Sequence, residues 1–342
     1  MASNIPEGPS AAPEAPKIIP VQLEAESPTQ ATELSGIAYV REIRSSKASV
    51  ASSLYESIEE NGRTYHKYKE GKYFLPNDEL EQNRLDLQHH ICKMSLHDRL
   101  FLAPLKASEL KHALDFGTGT GIWAIEFADQ FPNCQVIGSD LSMIQPEMIP
   151  RNLSFEIDDI EDTWVYPIKF NFIHGRLMAF AMESPASIFK NAFASLAPGG
   201  YFEMQDLHLP IRGLDDCLEG TTMARSSALL LDACTKVGMD PTTTDRYKSL
   251  MEAVGFVDIK EVVIEWPIGT WAKGEYHKRI GAWFRRDMEV GTEGILMGLF
   301  TRILGMSREE VLEMVAELKR EMRDPKIHAF QPFHVVYGRK PY

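Results

Sequence analysis

The sequence predicts an α/β fold with a parallel sheet covered on both faces by helices. Three observations carry that prediction. Short apolar runs alternate with segments of helical periodicity between Lys111 and Gln205. A glycine-rich turn links the first run to the first helix, and an acid closes the second run. Strands alternating with helices at this spacing favour parallel pairing, because each crossover helix must pack back onto the sheet.

Each element has its own reason. Lys111 to Asp115 reads as a short buried strand, and Gly121 to Gln130 as a helix with Ile122, Ile125 and Phe127 on its apolar face. Gln135 to Ser139, Leu153 to Ile157 and Phe170 to Ile173 read as the next three strands. A helix over Ser184 to Leu196 follows. The turn Pro198-Gly199-Gly200 then leads into a fifth strand, Tyr201 to Gln205. Beyond Asp206 the alternation is interrupted. Residues 221–238, 246–254, 275–305 and 307–323 carry helical patterns, the last opened by a capping box of Ser307 with Glu310. Val257 to Glu265 and Phe333 to Gly338 alternate as strands. The helical stretches at about 214–240 and 270–325 read as insertions that cap the sheet, within a domain over 107–342.

Upstream, residues 1–35 are rich in Pro, Ala, Ser and Glu and read as a disordered tail. Residues 36–106 read as an N-terminal helical cap segment. It has weak helical periodicity over 36–60 and a helix from about Asp78 to Leu102.

Composition narrows the function. Lys and Arg number 36 against 49 Asp and Glu, a net charge of −13, and no dense basic cluster occurs. That balance argues against nucleic acid as a partner, since neutralising phosphates needs a basic surface. No window approaches 18 apolar residues, so no membrane span is expected. Cys92, Cys134, Cys217 and Cys234 form no C-x-x-C pair, which fits a reducing compartment without a zinc or redox motif. The expected location is the cytoplasm, with the nucleus as the alternative.

The segment LDFGTGTGIW, Leu114 to Trp123, carries the chemistry. Gly117, Gly119 and Gly121, with Thr118 among them, form a turn where the backbone bends sharply and lets a ligand approach closely. The helix starting at Gly121 offers free backbone N–H groups. A dinucleotide fingerprint requires glycine three positions after Gly119, where Ile122 stands. No Gly-Lys-Ser/Thr follows, so a P-loop is excluded. Asp115 before the turn would repel a pyrophosphate but suits a ligand bearing an ammonium and a sulfonium. The turn is therefore tuned to a cationic cofactor without phosphates.

Asp140, with Leu141 after it, ends the second strand where an acid accepts from ribose hydroxyls; the other reading is a helix N-cap. Asp158-Asp159-Ile160 ends the third, where one of the two carboxylates can accept from an adenine amine, or the run is a solvated acidic loop. His174 and Arg176 follow at the switch point of the sheet. His174 is a candidate base or a sheet-edge hydrogen-bonder, and Arg176 reads as the partner of a nearby carboxylate. His89 and His90 on the preceding helix are further base candidates, against a solvated face. Tyr65 and Tyr73 are candidates to face a cation or to pack on the sheet. Glu203 and Asp206 close the fifth strand, and no metal site is expected.

Taken together, LDFGTGTGIW, VIGSDLS, SFEIDDIEDTW, FIHGR and LAPGGYFEMQD resemble the fungal LaeA/UMTA-like class I methyltransferases, as does the upstream YHKYKEGKYFLPNDELEQNRLDLQHH. The resemblance covers roughly residues 61–210. It implies a Rossmann-like seven-stranded sheet with an antiparallel last strand, and S-adenosylmethionine as methyl donor. It also implies Asp115 and the glycines at the turn, Asp140 on the ribose, and Asp158 or its neighbour on adenine. The family holds tailoring enzymes of secondary metabolism and a nuclear regulator of it. The expected function is methyl transfer to a small-molecule acceptor; the alternative is a regulator working through a protein complex. A homodimer or a regulatory protein partner stays open.

Overall fold

A computed structural model describes residues 22–25, 57–60, 62–66 and 74–342. Two strands, β1 (Ser57–Glu60) and β2 (Arg63–His66), pair as an antiparallel hairpin. A strand thus occupies the end of the stretch read as helical over 36–60. The reversal needs Gly62, whose φ of 78° lies in the left-handed region.

Helix α1 (Glu79–Ser95) is shorter than its expected span. Asp78 caps it, accepting from the Glu81 amide, and also pairs with Arg63 of the hairpin. Then come β3 (His112–Phe116), α2 (Ile122–Gln130), β4 (Gln135–Asp140), β5 (Leu153–Ile157), β6 (Phe170–Arg176), α3 (Pro185–Ser195) and β7 (Leu196–Leu207). The remainder is β8 (Arg212–Gly213), α4 (Thr222–Lys236), α5 (Tyr247–Val254), β9 (Val257–Pro267), α6 (Glu275–Arg302), α7 (Arg308–Glu321) and β10 (Ala329–Arg339). The capping box of Ser307 and Glu310 is present.

The sheet runs β5-β4-β3-β6-β7-β10, with β9 on the far edge of β10. The five strands β3 to β7 pair in parallel, whereas β10 runs antiparallel to both β7 and β9. Seven strands match the expected sheet; β8 adds a two-residue eighth against Ala329 and Phe330. β3 and β6 are buried along nearly their whole length, as a doubly covered sheet requires.

Three apolar clusters hold the layers. Trp123 and Phe127 of α2 pack with Phe172 on one face. Ile188 and Phe189 of α3 join Tyr247 and Met251 of α5 on the other. The largest joins α1, α4, α6 and α7 to β7, β9 and β10 around Trp266, Phe284 and Phe300. The inserted helices are thus part of the core. Near the N-terminus, Leu23 is buried against Trp271, Ala272 and Phe330, and Ala25 bridges Ala272. Leu23 and Ala25, within the stretch read as disordered, are therefore docked.

Candidate active site

The glycine turn leaves β3 at Phe116 and enters α2 at Ile122. Gly117, Gly119 and Gly121 all have positive φ, at 63°, 57° and 79°. Their lack of a side chain serves different neighbours. A Cβ on Gly117 would stand 2.1 Å from the Met178 sulfur, and one on Gly121 would stand 2.4 Å from the Phe155 ring. One on Gly119 would meet only Leu85 of α1, at 3.5 Å, across the cleft.

Beneath the turn, Asp115 is buried and doubly held. Thr118 Oγ1 donates to its Oδ2 at 2.6 Å, and His174 Nδ1 lies 2.8 Å from its Oδ1. The Asp140 carboxylate accepts from the Gly119 amide at 2.8 Å and the Ser142 amide at 2.9 Å. No helix follows Asp140, so it is not an N-cap; its hydrogen bonds lock strand end to turn. Burial pushes its carboxyl above the usual range. Burial likewise raises Asp158, whose Oδ1 accepts from the Asp159 amide, while Asp159 Oδ1 accepts from the Glu161 amide.

Asp115, Gly117, Thr118, Gly119, Asp140, Ser142, Asp158 and Asp159 line one cleft of about 120 Å3, with Leu141, Ile160 and Arg176. Gly121 does not line it and instead makes room for the Phe155 ring. Four acids, Asp115, Asp140, Asp158 and Asp159, converge there against one cation, Arg176. An acid-lined concavity with close backbone approach fits the sulfonium nucleoside inferred from the turn. Asp115, Gly117, Thr118 and Gly119 would hold its amino-acid end. Gly121, with no side-chain cap on α2, leaves that helix N-terminus facing the cleft.

α1 roofs the cleft. Thr120 donates to Asp86, Lys93 pairs with Glu126 of α2, and Leu85 and Gln88 point into the cavity. Leu85, Gln88 and Leu177 also line a second cavity of about 130 Å3. That chamber is walled by apolar side chains of α4, α6 and α7, including Met223, Leu230, Phe284, Leu296, Leu299 and Leu318. Its polar groups are few: Arg84, Asp206, Asp287, Thr292, Gln331 and the Ser226–Ser227 pair, besides Gln88. Arg84 is buried between Glu81 at 2.7 Å and Asp287 at 3.1 Å, and burial still pushes Asp287 up to about 6. Asp206 accepts from the Ala179 amide and the Tyr247 hydroxyl, and burial pushes it up to about 7.

The histidines lie elsewhere. His174 has no exposed surface; it stacks on Trp123 with ring centroids 3.8 Å apart, and burial lowers its pKa. Its place is behind Asp115, outside the lining of both cavities. His89 is buried, receives Arg176 Nη2 on Nδ1 at 3.0 Å, and stands 3.3 Å from Glu126. Burial holds it down to about 4. Arg176 thus pairs with an imidazole rather than a carboxylate. His90 is exposed and meets Trp283 edge-on. None of the three lines either cavity. Tyr65 is buried under the Arg302 guanidinium, and Tyr73 lies outside the described residues. Glu203 accepts from the Leu102 and Ala103 amides, so it anchors a loop and does not join Asp206 in a metal site.

Leu177 escaped the sequence reading. It has φ 58°, a left-handed conformation rare outside glycine, at the junction of both cavities. Such strain persists where surroundings enforce it, and the Leu177 amide is fixed to the Gln205 carbonyl at 2.8 Å. No residue-type signal marks that position.

A parallel sheet with a reversed strand inserted at its edge, and a phosphate-hostile nucleoside cleft at its strand ends, define a class I S-adenosylmethionine-dependent methyltransferase. The family described as "Methyltransferase domain" matches residues 84–261. Methyltransferase pytC of Aspergillus terreus is 38% identical over 302 residues, covering 87% of this chain and 92% of that protein. The secondary metabolism regulator laeA of Aspergillus fumigatus is 32% identical over 293 residues, covering 84% and 78%. The protein-methionine methyltransferase laeA of Emericella nidulans is 32% identical over 289 residues, covering 83% and 76%. The chain belongs to the methyltransferase domain family.

Proposed function

We propose that the chain methylates a small, largely apolar acceptor bearing one polar group, in fungal secondary metabolism. The observation that carries this reading is the apolar chamber sharing Leu85, Gln88 and Leu177 with the donor cleft. Asp115, Gly117, Thr118 and Gly119 hold the amino-acid end of the donor, with Gly121 shaping the turn, Asp140 and Leu141 the ribose, and Asp158 or Asp159 with Ile160 the adenine. S-adenosylmethionine supplies a methyl group already activated on sulfur. The chain therefore has to align the acceptor and keep water out, effects worth about 7–11 kcal/mol at best. Leu85, Leu177 and the apolar faces of α4, α6 and α7 exclude water. Where the acceptor is a hydroxyl, Asp206 is the candidate to take its proton, since it lies in the chamber wall and burial pushes its carboxyl up to about 7. Tyr247 and the Ala179 amide fix that carboxylate. This role replaces the one expected of His174, His89 or His90.

The test uses methyl-labelled donor and a metabolite extract. Met288→Trp fills the chamber from its half-buried rim and should lower label transfer to small molecules by about 10- to 200-fold. Donor affinity by calorimetry should stay as it was. Wild-type transfer in that variant rejects the chamber as the acceptor site. Label appearing only in protein supports the second reading, a regulator acting in the nucleus through a protein partner, which the regulators among the relatives favour.

A further inference from the structure

Away from both cavities, three side chains from distant parts of the sequence converge. His208 follows β7, His334 lies on β10, and Asp245 sits in the short 3₁₀ helix Pro241–Arg246 before α5. His208 Nδ1 and His334 Nε2 each stand 3.5 Å from Asp245 Oδ1. Both histidines are buried, whereas Asp245 is half open to solvent.

We propose that His208, His334 and Asp245 bind a zinc ion, with a fourth coordination position open to water. Four-coordinate zinc, with bonds of about 2.0–2.2 Å, spaces its ligand atoms about 3.3–3.5 Å apart. The two histidine–carboxylate separations already have that spacing, and the two imidazole nitrogens lie within 4.8 Å of each other. The buried His334 Nε2 has no hydrogen-bond partner, although it faces the carboxylate. On the other side of the ring, Nδ1 lies 3.0 Å from Glu261 Oε1. That bond places the proton on Nδ1 and leaves the Nε2 lone pair directed at Asp245. A cation between these two electron-rich atoms would remove their repulsion, and His208 Nδ1 on the same carboxylate oxygen offers it a third ligand. A carboxylate behind a ligating imidazole is the support that metal-bound histidines regularly have.

Thr244 Oγ1 lies 2.8 Å from His208 Nδ1 and must turn aside when the ion enters. Arg212 faces the other oxygen of Asp245 at 3.6 Å and leaves Oδ1 to the histidines. The ion would tie the end of β7 to β10 and to the start of α5. Asp206 is two residues from His208, and its partner Tyr247 is two residues from Asp245. The clip would thus stiffen one wall of the acceptor chamber.

The experiment is equilibrium dialysis of the chelator-stripped full chain against zinc chloride, read by elemental analysis. One zinc per chain is expected. Glu261→Gln should weaken binding by about 10- to 100-fold. Asp245→Ala, at the surface where folding is not at stake, and His334→Ala should weaken it at least as much. Cys217→Ser should leave it unchanged, because Cys217 belongs to a separate group with Asp215 and His328. Absence of stoichiometric zinc, wild-type affinity in Asp245→Ala, or loss of zinc in Cys217→Ser would each overturn the assignment.

Discussion

Asp115 and His174 form a unit in which only the carboxylate reaches the cleft. The imidazole is clamped by Trp123 on its face and Asp115 at its edge. His174→Ala should therefore act through Asp115, raising the KM for S-adenosylmethionine more than it lowers kcat. His174→Asn, which can still donate to the carboxylate, should restore part of the loss. Steady-state kinetics at varied donor checks this; a fall confined to kcat would mean that His174 meets the acceptor. At this scale the donor cleft was largely legible. Its turn is contiguous in sequence, and each strand-end acid stands where the chain reverses. The candidate bases were not legible, because burial decides a histidine's role and two of the three lie beneath the surface.

Among the elements, α1 is the one that closes the site, and its seat on α6 is ionic. Arg84 stands buried between Glu81 and Asp287, and Gly291 of α6 makes room, since a Cβ there would meet Arg84 Cδ at 2.5 Å. Arg84→Met removes the cation and leaves two buried carboxylates, which should cost about 3–5 kcal/mol in urea unfolding. An unchanged midpoint would show that the roof is held by packing alone. The helical period of α1, α6 and α7 was legible, but their meeting was not. The chamber is lined from α1, α4, α6 and α7, and no local spacing encodes which faces will oppose one another. Leu177 and the pairing of His208 with His334 were hidden for the same reason.

For the molecule as a whole, burial of charge sets the pH response. Glu203 and Asp206 are pushed up to about 7 and Asp287 to about 6, so the folded state holds protons that the unfolded chain has released. Their stabilisation is complete below about pH 4 and fades as pH rises through 6 to 7. His89 and His208, held down to about 4, work in the opposite sense between about 4 and 6.5 and contribute no slope above it. The melting temperature should therefore fall from pH 6.5 to pH 8, and Glu203→Gln should flatten that fall. A melting temperature that rises over this range would contradict the assignment. The alternation of strands and helices made the parallel part of the sheet legible, because each crossover helix must pack back onto the sheet. No helix among the described residues is long and apolar enough to cross a membrane. The docking of Leu23 escaped because its partner, Trp271, lies far along the chain.

The common wall formed by Leu85, Gln88 and Leu177 limits how this protein can diversify. A change in any of the three alters two compartments at once, so, on the proposed assignment of donor and acceptor, tuning it for a new acceptor would disturb the methyl donor as well. The far walls on α4, α6 and α7 carry no such double duty. New acceptor preferences should therefore arise by drift in those helices while the roof stays fixed. A library randomised there would yield more working variants than one randomised on α1.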